Sequence, residues 1–237
     1  MNLQKYLHFS PKIGAVLRAQ KPVVALCGSA LFQGKTEAER LASAQYALNT
    51  AAQNGAEGAI LHIWQGKLCI GLTQEALAAC CALPSACVTL TDLPRALCEG
   101  QSAVPSAAAA LFMAALGGVH VLAYAPHAVP DEAARTLGTL PIALVTSAPQ
   151  DKSIADAFFA PYAAHNVPVY ALSADAVAQN EALSPYAVAQ SDTLSAKSAA
   201  AICRVKWDLG LASGACFCTQ AHSPAAAAAR MAANLCE

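Results

Sequence analysis

Along nearly the whole chain, short apolar runs alternate with capped helical stretches, and no other feature limits the possible folds as much. Val23 to Cys27 is one such run. After the Gly28-Ser29 step comes Thr36, with Glu39 at capping-box spacing, so a long helix is expected to start there. Leu41, Ala44, Leu48, Ala51 and Ala52 share one face of that helix, and Asn54-Gly55 supplies its stop. The pattern recurs. Strands are expected at Cys87 to Leu90, Val119 to Tyr124, Ile142 to Ser147, Val167 to Ala171 and Ala215 to Thr219. Between them fall helices from Pro105 to Leu116, from Asp131, from Ser153 to His165 and from Thr193 to Leu209, with a last one opening at Ser223-Pro224. Apolar runs without polar interruption suit strands buried on both faces, so the alternation predicts an α/β protein with a mostly parallel sheet covered by helices on both sides.

Three further segments complete the outline. Ser10-Pro11 starts a helix that runs to about Ala19. Gly58 to Trp64 and Leu68 to Gly71 flank Gln65-Gly66-Lys67 and predict an antiparallel hairpin inside or beside the main sheet, after which Thr73 caps a helix to Leu83. Ser173 to Asp192 has the weakest periodicity and reads as a loop with a short helix. No linker, repeat or charge block divides residues 1–237, which are expected to form a single domain.

Composition narrows the function. Hydrophobic residues make up 56% of the chain and charged ones 12%, enough for a substantial core. The 14 Lys+Arg against 15 Asp+Glu leave no charge run, so neither nucleic acid nor a membrane surface is an expected partner. Ala103 to Pro126 could be mistaken for a membrane span, but Pro105 and Gly117-Gly118 break it into a buried helix and a strand. The opening MNLQKYLHFSPK has no apolar run of signal type, and a cytoplasmic location is expected. The 10 cysteines form no C-x-x-C pair and several lie within expected strands, where a reduced thiol packs as a small apolar group. The histidines, His62 and His120 among them, show no metal-ligand spacing.

In parallel sheets ligands bind beyond the carboxyl ends of the strands. This rule selects Gly28-Ser29, Glu99 to Ser106, Ser147 to Ser153 and Thr219 to Ser223. Within them Lys152 stands out as an ionisable group at a strand-to-helix loop. A desolvated lysine loses part of its proton affinity and can attack a sugar aldehyde to form an iminium, although an exposed loop lysine would show the same spacing.

Several strings in fixed order resemble the pseudouridine-5'-phosphate glycosidase family, also called indigoidine synthase A-like: KPVVAL from Lys21, GKLCIGLTQEAL from Gly66, DLPRAL from Asp92, AALGGVHVLA from Ala114, KSIAD from Lys152, NVPVYA from Asn166 and KWDLGL from Lys206. The resemblance implies a three-layer α/β/α fold, a homotrimer, and cleavage of the C–C glycosidic bond of pseudouridine 5'-phosphate to uracil and ribose 5-phosphate. It further implies a lysine Schiff base, a glutamate proton donor and a divalent metal, typically manganese.

Carried over by position, KSIAD makes Lys152 the catalytic lysine and puts Ser102, Ala107 and Thr219 at substrate-binding positions, to which the strand-end rule adds Gly28, Ser29, Ser106, Ser147 and Ser153. The chain resembles a shortened, divergent member. Cys27 stands where the family has its glutamate, Cys87 replaces a substrate-contacting lysine, and Gly100-Gln101-Ser102-Ala103 replaces an asparagine-containing turn. The metal-binding aspartate motif has no counterpart, so no metal ligand and no cofactor is assigned; Asp131, with Glu132, is the candidate substitute. The expected partner is a sugar phosphate or nucleotide. Three readings stay open: a glycosidase of the family type, a metal-free lysine-dependent enzyme on another sugar phosphate, and a non-catalytic scaffold that binds a metabolite or partner.

Overall fold

The computed structural model describes residues 5–32, 34, 36–82, 86–124, 131–149, 152–173, 193–219 and 223–236, without the side chains of residues 30 and 152–156. In chain order the strands are β1 (Leu7–Phe9), β2 (Val23–Cys27), β3 (Glu57–Trp64), β4 (Lys67–Ile70), β5 (Cys87–Val88), β6 (Val104–Pro105), β7 (Val121–Tyr124), β8 (Ala143–Ser147), β9 (Val169–Leu172) and β10 (Ala215–Thr219). The helices are α1 (Pro11–Arg18), α2 (Gly28–Leu31), α3 (Glu37–Gln53), α4 (Gln74–Ala82), α5 (Leu93–Cys98), α6 (Ala107–Leu116), α7 (Asp131–Leu137), α8 (Lys152–Ala164), α9 (Ala196–Asp208) and α10 (Pro224–Leu235).

Eight strands form one sheet in the order β1-β4-β3-β2-β7-β8-β10-β9. Every neighbouring pair is parallel except β3 with β4. The expected hairpin therefore lies inside the sheet, and β1 and β4 run against the other strands. Its two-residue turn has positive φ at both Gln65 (47°) and Gly66 (71°), the geometry that matches the twist of paired strands.

Each strand sends alternate residues to opposite layers. Ala25 and Cys27 of β2 join Leu61, Leu122, Leu144 and Cys216 under α6 and α8, whereas Val24 and Leu26 join Ile60, Val145 and Phe217 under α3, α9 and α10. This is the expected three-layer α/β/α arrangement. Alanine makes it close-packed: Ala107 to Ala110 of α6 and Ala227 to Ala229 of α10 are all at most 1% exposed, so those helices approach the sheet almost at backbone distance. The capping box is present in full, Glu39 N–H donating to Thr36 Oγ1 and Thr36 N–H to Glu39. On α3 the buried face is Ala44, Ala47 and Ala51, while Ala52 is exposed, because α10 meets the helix one residue round from the expected stripe.

Four local expectations change. Cys87 to Leu90 shortens to β5, because Thr89 and Asp92 close a turn through their side chains that leads into α5, a helix not foreseen over DLPRAL. β5 and β6 pair with each other outside the main sheet. Pro105 belongs to β6, and Ser106, whose Oγ accepts the Ala109 N–H, caps α6 instead. Leu194 bridges to Leu172, so α9 starts after a Ser195 cap rather than at Thr193. Neither β1 nor the single turn α2 was expected. Residues 174–192, expected to hold a loop with a short helix, lie outside the described residues. Among the described residues no helix is long and apolar enough to cross a membrane.

Candidate ligand crevice

The chain leaves β2 through α3 for β3 on one side, while β7 flanks β2 on the other. Strand order thus reverses between β2 and β7, and a crevice opens beyond the carboxyl ends of strands at such a point. Cys27 ends β2, and Gly28 and Ser29 turn directly into α2. Gly28 is required for its size: a Cβ there would lie 2.6 Å from the Leu61 carbonyl oxygen. The Cys27 thiol sits 3.2 Å from the Ser29 hydroxyl and 3.7 Å from the Pro105 carbonyl oxygen, to which it donates. Pro105 pairs with Val88, beside Cys87, and Ser106 N–H donates to the Val88 carbonyl. In this way the small β5–β6 sheet brings Cys87, Ser106 and Ala107 up to the end of β2.

The neighbouring strands continue the row. Leu26 pairs with Ala123, Tyr124 with Thr146, and Thr146 with Cys218, so Cys27, Tyr124, Thr146 and Cys218 follow one another on the face that α8 covers. Burial, with Cys27 and Cys87 nearby, pushes the Tyr124 hydroxyl above its ordinary range. Its bond to Cys216, followed by burial, pushes the Cys218 thiol up, and burial next to Glu132 does the same for Cys87. Thr146 Oγ1 is buried without a hydrogen-bond partner among the described residues. Tyr162 of α8 closes the layer, its hydroxyl pushed far up by burial and by Cys216 and Cys218. Tyr124, Thr146 and Tyr162 were not singled out in the sequence; their only signal was a polar atom at the end of an apolar run or on an apolar helix.

The other expected positions divide. Ser147 and Thr219 end adjacent strands in register, tied by the Ala148 N–H donating to the Thr219 carbonyl at 2.9 Å. Lys152 and Ser153 form the first turn of α8, the helix that follows β8, with their side chains outside the described residues. Ser102 sits apart, since its hydroxyl accepts the Gln65 N–H at 3.0 Å and steadies the hairpin turn. Asp131 bonds His165 at 3.0 Å with most of its surface exposed, and among the described residues no three His, Cys, Asp or Glu side chains are grouped to hold a metal ion. The described residues therefore do not fit a resident divalent metal.

Comparison with known proteins places this architecture. A family model described as "Indigoidine synthase A like protein" matches residues 12–127. Two solved structures share the fold over more than nine-tenths of the chain: an indigoidine synthase A-like protein from Thermotoga maritima (TM-score 0.70, 16% identity, covering 92% of this chain and 75% of that one) and the prealnumycin C-glycosynthase AlnA in complex with ribulose 5-phosphate (TM-score 0.70, 19% identity, 91% and 73%). Over residues 12–127 the chain resembles the indigoidine synthase A-like family. Among its relatives in sequence, the pseudouridine-5'-phosphate glycosidase of Rhodospirillum centenum is 31% identical over 121 residues, 51% of this chain and 38% of the relative. That of Deinococcus radiodurans is 26% identical over 225 residues, 90% of this chain and 71% of the relative. The match thus spans well under half the length of the first relative. Within the chain, the family model covers Cys27, the hairpin and α6, while Lys152 lies beyond its last matched residue.

Proposed function

We propose that this chain binds a pentose phosphate at the carboxyl edge of β2, β7, β8 and β10 and attacks its C1 with Lys152, as a pseudouridine-5'-phosphate glycosidase-like enzyme. The observation that carries the reading is the position of Lys152 at the first residue of α8, directly after β8, whose last residue Ser147 pairs with Thr219. The ribulose 5-phosphate held by the structurally similar C-glycosynthase supports the ligand class.

With pseudouridine 5'-phosphate, the lysine amine adds to C1' and the ring oxygen leaves as a hydroxyl, taking up a proton. A proton delivered to C5 of the uracil lets the C1'–C5 bond break, its electron pair staying with uracil while the nitrogen lone pair forms the iminium. Water then returns the amine and releases ribose 5-phosphate. Gly28, Ser29, Ser106, Ala107, Ser147, Ser153 and Thr219 are proposed to contact the ligand, and Ser102 to act from the hairpin side.

A second reading is favoured by Cys27 and Cys87. Burial beside Glu132 pushes the Cys87 thiol up, and at Cys27 a thiol stands where a carboxylic acid would serve better as proton donor. A non-catalytic relative that binds the same ligand class fits that chemistry. Uracil release from pseudouridine 5'-phosphate separates the two. Release by the native chain that disappears in Lys152→Ala supports the enzyme; bound ligand with no uracil supports the scaffold and rejects the glycosidase.

A further inference from the structure

Because β3 and β4 are antiparallel, β1 and β4 end at the opposite edge of the sheet from Cys27. The rule that places ligands beyond strand carboxyl ends thus applies a second time, at the edge where β3 begins. A cavity of about 640 Å³ lies there, between the starts of α1 and α4 and the outer face of α3. Its volume falls within the span of small-molecule sites, on the order of 300–1,000 Å³.

The lining has a definite chemistry. Gln45 and Asn49, one helical turn apart on α3, and Gln74 of α4 line the cavity, all three exposed. None of these three carboxamides has a hydrogen-bond partner among the described residues, although each can both donate and accept. Leu48, Leu72 and Leu77 supply an apolar floor. The charges cancel within the wall, since the Lys12 ammonium sits 2.5 Å from the Glu57 carboxylate.

A phosphate or carboxylate would find no uncompensated cation, and a purely apolar ligand would displace water from three exposed carboxamides without replacing its hydrogen bonds. Hydroxyl groups match them, as they too donate and accept. We propose that this cavity is a second ligand site for a neutral polyhydroxylated molecule of monosaccharide size, its C–H face on the leucines and its hydroxyls on Gln45, Asn49 and Gln74. It is independent of Lys152, which lies at the other edge of the sheet.

The test is ligand-observed NMR on the full chain with D-ribose and D-glucose, and with ribose 5-phosphate as the charged counterpart. At least one neutral sugar should bind the native chain and Lys152→Ala equally. Asn49→Leu and, on a different helix, Gln74→Leu should each weaken that binding roughly tenfold or more, with the melting temperature unchanged. Should Asn49→Leu prove unstable, Gln74→Leu decides alone. The proposal is overturned if neither neutral sugar binds, if Lys152→Ala abolishes binding, if both leucine variants bind as before, or if sedimentation shows a second copy covering this groove.

Discussion

At the end of β2 the Cys27 Sγ lies 3.2 Å from the Ser29 Oγ, so the group nearest the reversal of strand order is a thiol sharing its hydrogen bond with an alcohol. Both are weak acids, and Cys27 is only 1% exposed. A proton that must reach a substrate carbon from this position is delivered slowly, because general acid catalysis is most effective with a pKa near the working pH.

Cys27→Glu should therefore raise uracil release by on the order of 10²- to 10⁴-fold. Steady-state rates on pseudouridine 5'-phosphate give the answer. An unchanged rate in a folded variant would mean that the proton comes from elsewhere.

Gly28→Ala should destabilise the chain by about 1–3 kcal/mol, because the new methyl group would meet the fixed carbonyl oxygen of Leu61 rather than a side chain able to move aside. A lower urea midpoint with an unchanged slope is the expected result. A midpoint equal to that of the native chain would show that α2 shifts freely.

Arg40 reaches from α3 to the carbonyl of Cys81 with Nε and Nη2, at 2.8 and 2.6 Å, and to the carbonyl of Gly34 with Nη1, at 2.9 Å. It clamps the segment after α2 to the last turn of α4. Arg40→Ala should cost about 1–3 kcal/mol, and Arg40→Lys should restore little, since an ammonium cannot span both carbonyls in the plane of a guanidinium. Faster amide exchange around Gly34 in both variants is the expected readout; full recovery by lysine would contradict the clamp.

The fold was largely legible because its signals are local. Thr36 with Glu39, Val23 to Cys27 and Ala215 to Thr219 each carry their structure in adjacent residues, and the structure reproduces their bounds. What was hidden depends on distant partners. β1 is a strand only because β4 lies open beside it, and β5 is separated from the main sheet by its pairing with Val104 and Pro105. The site was legible as positions along one edge, from Gly28 to Thr219, but not as chemistry. That Tyr124, Thr146 and Cys218 form a row depends on the order β7-β8-β10, in which β9 is bypassed, and no local pattern announces that.

His62 is 1% exposed between Phe32 and Trp64, with neither ring nitrogen hydrogen-bonded among the described residues, and burial lowers its pKa from 6.5 to about 4. Between these values the unfolded chain holds the proton and the folded chain does not, so stability is full above pH 6.5 and falls as the pH drops towards 4. At about 1.4 kcal/mol per pH decade, the loss is on the order of 3 kcal/mol. His62→Leu, which removes both unpaired nitrogens, should melt no lower than the native chain at pH 7 and lose this dependence. Thermal melts across the window check it, and the same acid sensitivity in His62→Leu would assign the effect to other groups.

If Lys152 is a nucleophile towards a sugar phosphate, reductive trapping will capture its iminium. The chain is incubated with ribose 5-phosphate, treated with sodium borohydride and mapped by peptide mass spectrometry. A reduced pentose phosphate adduct is expected on the peptide containing Lys152, absent when borohydride is omitted and absent in Lys152→Ala. An unmodified Lys152 peptide, or an adduct spread equally over surface lysines such as Lys12 and Lys197, would contradict it.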